Sequence, residues 1–404
     1  MPRLTHDKIT WLSYAQLGLW GFFLYGFGPV VPLLRDEQGT SAAVAGLHST
    51  GIAAGALLGG AIFPPVARRL GRGRASWLGL AGVAAGAAAL GLLHPLPATI
   101  AAVAVIATFG MMVISGVSVM LTARHGDAAP AALTEANAAC AGMGILAPLV
   151  IGATVDAGLG WRPVMAVEVG LIALVALAAL TFRVRLPHAP AAAAADGPIG
   201  VAASAVRLPR TYWIAWVLMA VTGSIEVCLS LWTADVLRSH AGLSAGGASA
   251  AIAAIVCGMF AGRLAGGRIA LRWPPVPLLL AALGVSLAGF ALFWAAAVGW
   301  LAVTGLVVLG LGNALHYPLA ISIALAVAGP AADKAAGWSS YSMGVGFGIA
   351  PVALGWVADG VGPHLAFLLL PAFIAAAALL AVRLGRALRA AHPTDDQRPI
   401  PIPA

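Results

Sequence analysis

At 404 residues the chain is long enough for two or three soluble domains, yet only 9% of its residues are charged and 61% are hydrophobic. A water-facing surface needs roughly 25% charged residues, so the composition excludes a soluble protein and makes lipid the principal solvent. The net charge of +8 does not point to nucleic acid, because the basic residues fall in short segments between apolar runs and not on one soluble face.

A membrane helix needs about 20 apolar residues. Runs that meet this length lie at 9–34, 42–66, 75–94, 98–122, 132–157, 161–183, 211–236, 246–270, 276–298, 300–327, 336–358 and 363–385. The first is too long for the apolar stretch of a cleaved leader and is followed by others of its kind, so it reads as a span.

In chain order, span one places Ser13, Gln16 and Trp20 along one face. Span two carries His48, read as a packing residue, and closes on the basic turn Arg68, Arg69, Gly71, Arg72 and Arg74. Span four offers Thr108, Ser115 and Thr122. Glu135 at the start of span five and Glu168 in span six lie near helix ends and read as wetted or capped. The segment from Leu186 to Leu208 is rich in Ala and Pro and reads as a linker without a core of its own. That divides the chain into a six-helix bundle over 1–185, a linker over 186–210, a second bundle over 211–388 and a tail over 389–404.

Ionisable groups inside a span cost about 2.5–3.5 kcal/mol each to insert, so each is a functional candidate. Glu226 lies about 21 Å into span seven at 1.5 Å per residue. Thr222, Glu226 and Ser230 recur every fourth residue and share a face. A carboxyl held there away from water can bind and release a proton near neutral pH, the property a proton-coupled carrier needs; the alternative is a structural carboxylate paired with Arg263. Arg263 lies about 12 Å into span eight from its basic end. It keeps its charge and requires a partner, water or an anionic solute. In span ten, Asn313, His316 and Tyr317 form one polar face on an otherwise apolar helix, and an imidazole there can also carry protons. Trp20 and Trp232 are either platforms in a cavity or interfacial anchors. Cys140, Cys228 and Cys257 lie in apolar runs without metal-ligand spacing, so neither a metal nor another cofactor is expected.

Counting Lys and Arg sets the expected topology. With the amino terminus inside, 18 of the 22 fall in cytoplasmic segments, Arg35, Arg162 and Arg238 lie outside, and Arg263 lies within a span. The asymmetry places both termini in the cytoplasm.

The chain also repeats itself. A shift of 203 residues lays Gly55 and Gly59 on Gly258 and Gly262, and Ser41, a candidate helix cap, on Ser244. The same shift lays Ala147-Pro148, Gly152 and Asp156 on Ala350-Pro351, Gly355 and Asp359. One offset across so many positions indicates two halves related by a parallel repeat. The expected fold is therefore an all-α membrane protein of twelve transmembrane helices in two pseudo-symmetric six-helix bundles.

Twelve spans in a 6+6 arrangement, a basic turn after span two and a central linker resemble the major facilitator superfamily over essentially the whole chain. That family's loop motif is Gly-x-x-x-Asp-Arg-x-Gly-Arg-Arg. The first copy here, Ala67 to Arg74, is degenerate, with Arg68 at the Asp position and Pro64 at the first Gly. The second, Gly267-Arg268-Ile269-Ala270-Leu271-Arg272, matches better but has Leu271 at the Asp position. In the family that Asp helps latch the halves in the outward-facing state, so its absence bears on the latch and not on the fold. The resemblance further implies a cavity lined by spans one, four, seven and ten, the four spans whose polar faces emerge from spacing alone. Some family members that carry monocarboxylates place an Arg in span eight followed four residues later by Gly, as Arg263 and Gly267 stand here; Gly-Arg-Leu also occurs in members with other substrates. Pro148, Gly152, Pro351 and Gly355 weakly resemble the Gly-Pro motif of family antiporters.

The reading that unites these features is a secondary carrier in a cell inner membrane, a monomer working by alternating access. It takes a small organic anion and moves protons through Glu226 and His316, with Arg263, Asn313, Tyr317, Gln16, Trp20, Thr222, Ser230 and Ser115 as binding candidates. Two Asn and three Gln in the whole chain are too few amides for a sugar site. An exporter of amphipathic compounds on the same fold is the alternative. A receptor or intramembrane enzyme is remote, since no zinc-protease or phosphate-loop motif is present.

Overall fold

The computed structural model describes residues 5–184, 208–270, 272–328 and 332–391. Twelve of its helical segments are long and apolar enough to cross a membrane. They are Lys8–Gln38, Ala42–Leu70, Arg72–Leu92, Leu96–His125, Ala129–Asp156, Arg162–Thr181, Arg210–Ser239, Ala245–Ala270, Pro275–Ala295, a broken span ten made of Gly299–Asn313 and His316–Ala328, Ala332–Val361, and a span twelve opened by the short helix Pro363–Ala366 and continued by Leu369–Ala391. Most of the linker and the end of the tail expected from the sequence, 185–207 and 392–404, lie outside the described residues.

Helix ends follow their capping residues. Asp7 accepts the backbone N–H of Thr10 at 2.9 Å to start span one, and Gly39, with φ 61°, ends it in the left-handed conformation glycine adopts freely. Ser41 caps span two through the N–H of Val44, as its place in the repeat suggested.

The repeat is visible in the packing. Span one lies on span five, two on four, three on four and six; the same pairs recur six spans later, seven on eleven, eight on ten, nine on ten and twelve. The repeated glycines explain why. A Cβ on Gly55 would lie 2.2 Å from the carbonyl oxygen of Ala104 in span four, and one on Gly258 would lie 2.1 Å from that of Val307 in span ten. Each half thus docks two helices backbone to backbone where only a missing side chain permits it.

Because twelve spans alternate in direction, the first helix begins and the last ends on one face, here termed the terminal face. The halves meet along spans one and seven, two and eleven, and five and eight. Apart from the Tyr25 hydroxyl facing Arg263 at mid-depth, the hydrogen bonds recorded between the halves among the described residues lie toward the opposite, far face. Arg35 pairs with Asp235, and Arg238 reaches Asp36 at 2.8 Å. Arg35 and Arg238 are themselves related by the repeat offset, so each half contributes one arginine to the other. Proline supplies a further contact: Pro351 has no N–H to bond the carbonyl of Phe347 one turn back, and Ser49 of the other half donates to that carbonyl. Thr50 donates to the carbonyl of Gly348 at 2.7 Å. These contacts tie the halves together at the far face.

Candidate functional site

At mid-depth between the halves lies a pocket of about 60 Å³. Span one contributes Leu24, Tyr25, Phe27 and Gly28; span seven contributes Glu226, Val227, Ser230 and Leu231; span eight adds Ile252, Ile255, Val256 and Met259; Ile52, Asn313 and Phe347 complete the wall. Spans one and seven approach this closely because Gly28 lies against the backbone and hydroxyl of Ser230. The walls are mostly apolar, so the few polar groups there dominate its chemistry.

Glu226 is half-buried in this wall. Arg263 stands one helical turn beyond Met259 on the face of span eight that lines the pocket, and keeps much of its surface open on the terminal side. The tyrosine hydroxyl of Tyr25 faces the guanidinium, and both groups are within electrostatic reach of Glu226, as is Tyr317. Cys140 of span five also borders the arginine. Among the described residues Glu226 and Arg263 close no ion pair. A fixed cation, a phenol and a carboxyl therefore share one site between the halves, each with bonding capacity left for a solute. Asn313 adds a buried amide whose nitrogen lies 3.8 Å from the Met259 sulfur and whose oxygen has no protein partner.

Other expected residues lie elsewhere. Gln16 is fully buried with neither amide atom bonded to protein, and Trp20 packs against Gly110 of span four; neither lines the pocket. Nine residues separate Gln16 from Tyr25, about 180° around a helix of 3.6 residues per turn, so the polar face of span one and its pocket face are opposite. Thr222 is buried with its hydroxyl turned back to the carbonyl of Met219 at 2.9 Å. Ser115 is half-buried outside the pocket wall. Trp232 is buried, its indole nitrogen donating to the carbonyl of Pro351 at 3.2 Å.

His316 departs most from expectation. It is buried, and its Nε2 lies 3.1 Å from the Ser286 hydroxyl of span nine. The imidazole belongs to packing within the second half, not to the pocket. Glu168, expected to be wetted or capped, is instead fully buried with neither oxygen bonded. His48 matches its packing role, bonded to the Ala45 carbonyl and to Thr99.

In the basic turn, Gly71 adopts φ 84° between spans two and three, while Arg68 and Arg69 are exposed and, with Arg72, form no ion pair among the described residues. Arg272 is exposed; the surroundings of Gly267 and the side chain of Arg268 fall outside the described set. No cluster of metal-ligating side chains occurs among the described residues.

A twelve-span bundle of two like halves enclosing a mid-depth pocket defines a membrane transporter, and the comparisons with known proteins agree. The profile of the Major Facilitator Superfamily matches residues 14–338, and the chain belongs to that family. No curated protein sequence matches it. Among solved structures it is similar to a mutant of the nucleoside transporter NupG, at 16% identity and TM-score 0.77 over 94% of this chain and 98% of that one. It is also similar to a bacterial homologue of the human lysosomal transporter Spinster, crystallised inward-facing and unoccupied, at 15% identity and TM-score 0.74 over 98% and 100% of the two chains. A D-xylose-proton symporter follows at 16% and 0.74, over 93% and 96%. At such identities the likeness is one of fold. The chain is a multi-pass transporter, not an enzyme.

Proposed function

We propose that this transporter moves a small organic anion together with a proton, by alternating access, in a cell inner membrane. The observation that carries the reading is the sharing of one pocket between the halves by Arg263 and Glu226 without a closed ion pair. Arginine holds its charge at any working pH and suits a carboxylate. A carboxyl in an apolar wall exchanges its proton with its surroundings. Tyr25 and Asn313 supply further bonds, and the apolar side chains receive the body of the solute. The proton route assigned here runs through Glu226 alone, since His316 faces Ser286.

The 18-to-3 asymmetry of basic residues supports an orientation with both termini in the cytoplasm. In that orientation the tied far face is the outer one. The protein acts as a monomer, since each chain encloses its own pocket.

Purified protein in proteoliposomes with an imposed pH gradient is the test. Small monocarboxylates are expected to accumulate, Glu226→Gln to abolish gradient-driven uptake while sparing exchange, and Arg263→Gln to weaken anion binding at least tenfold. Unchanged pH-driven uptake in Glu226→Gln ends the proton role. The apolar walls favour a second reading, export of amphipathic compounds; in that case Arg263→Gln leaves binding intact.

A further inference from the structure

The repeated segment of spans five and eleven has no part in the pocket. Its first copy runs through Pro148 and Gly152 to Asp156, its second through Pro351 and Gly355 to Asp359. Both copies end a span at the far face, and both meet the other half there. A Cβ on Gly152 would lie 2.6 Å from the carbonyl oxygen of Gly246, at the start of span eight; one on Gly355 would lie 2.5 Å from that of Ala42, at the start of span two. The two contacts are the same contact made twice, in opposite senses across the boundary between halves.

One turn further on, each span presents a carboxylate. Asp156 accepts the Ser244 hydroxyl at 3.0 Å. Asp359 accepts the backbone N–H of Ala42 at 2.7 Å and of Ala43 at 3.0 Å. The receiving ends are alike, Ser41 accepting from the N–H of Val44 at 3.3 Å and Ser244 from that of Gly247 at 2.9 Å. The first N–H groups of a helix have no partner within it and form the positive end of its dipole. Asp359 supplies the missing acceptors at the start of span two, Asp156 reaches the capping hydroxyl at the start of span eight, and each brings the complementary charge only while the far face is shut.

We propose that Asp156 and Asp359 are a matched pair of gate residues in transport. Each carboxylate docks on the start of a helix in the other half, and both must leave for the far face to open. The pair straddles the pocket, one contact on the span five–span eight side and the other on the span two–span eleven side, so the halves are held evenly. Gly152 and Gly355 bring the backbones close enough for an aspartate, the shortest carboxylate side chain, to reach. The role rests on the alternating-access reading above but not on the solute or the proton.

Double electron–electron resonance on protein in lipid nanodiscs tests it, with Cys140, Cys228 and Cys257 replaced by Ala. Nitroxide pairs at Leu159 with Ser239, and at Leu47 with Val361, report the far face on the two sides. Asp156→Asn and Asp359→Asn keep side-chain shape and an acceptor oxygen and remove the charge. Each is expected to raise the long-distance, open population at least threefold, and the double variant to raise it further. Ala42→Pro, at a first helical position that tolerates proline, leaves Asp359 in place and removes one of its donors; it is expected to open the span two–span eleven side likewise, which keeps the proposal testable if an Asn variant fails to fold. Distances unchanged from the parent in a folded double variant, or in a folded Ala42→Pro variant, overturn the proposal. Failure of the anion–proton reading shows separately in the uptake assay, because these distances are measured with no solute present.

Discussion

Tyr25 and Gln16 carry opposite lessons about single side chains in span one. The tyrosine ring packs beside Gly144 and its hydroxyl faces Arg263, so Tyr25→Phe should keep the packing and remove one bond to the site. A hydrogen bond to a charged group contributes about 1.5–3 kcal/mol, and anion affinity measured by titration is expected to fall about tenfold or more. Gln16→Leu should leave affinity unchanged and raise the melting temperature, since a buried amide bonded to nothing in the protein costs about 1–3 kcal/mol. Glu226 and Asn313 were legible because a polar group in an apolar helix is conspicuous and costly. Tyr25 was not, because aromatic residues are ordinary in membrane helices and nothing local distinguishes a ring facing a pocket from one facing lipid. The placement of His316 was hidden for the same reason: its sequence neighbours set it on a polar face, and only the packing of span nine puts Ser286 opposite it.

At the level of elements, all twelve spans could be counted from hydropathy, but the break in span ten could not. Hydropathy runs unbroken across it, while the helix stops at Asn313 and restarts at His316. Pro318 accounts for the break. It has no N–H for the carbonyl of Ala314 four residues back, and its ring crowds that turn. The interruption falls where Asn313 meets the pocket and Tyr317 comes within reach of Glu226, and a discontinuous helix at mid-depth is a recurrent way to free polar backbone for a solute. Pro318→Ala should let the two pieces join. Hydrogen exchange followed by mass spectrometry is expected to slow across residues 313–317, with transport several-fold slower as the site loses its local freedom. Equal exchange in parent and variant would show that side-chain packing, and not the proline, breaks the helix.

For the whole molecule, the question is which face is held and by what. The sequence announced a weakened latch after spans two and eight, where Arg68 and Leu271 stand at the family's Asp positions. The far face is tied by the Arg35–Asp235 and Arg238–Asp36 pairs and by Ser49 and Thr50. The Arg238–Asp36 pair is half-exposed and contributes only about 0–1 kcal/mol, whereas Asp235 is buried against Arg35, so leaving that carboxylate unpaired is the larger cost of opening the far face. A covalent bond there should stop the cycle. A Cβ on Gly348 would lie 4.0 Å from both the Cα and the Cγ2 of Thr50, inside the reach of a disulfide, whose Cβ atoms sit about 3.5–4.5 Å apart. In a background with Cys140, Cys228 and Cys257 replaced by Ala, Thr50→Cys with Gly348→Cys should cross-link under mild oxidant and reduce transport at least tenfold. Dithiothreitol should restore it, and either single substitution should be insensitive to oxidant. Full transport by the cross-linked protein would mean that the halves need not separate at the far face, and alternating access would have to be abandoned for this chain.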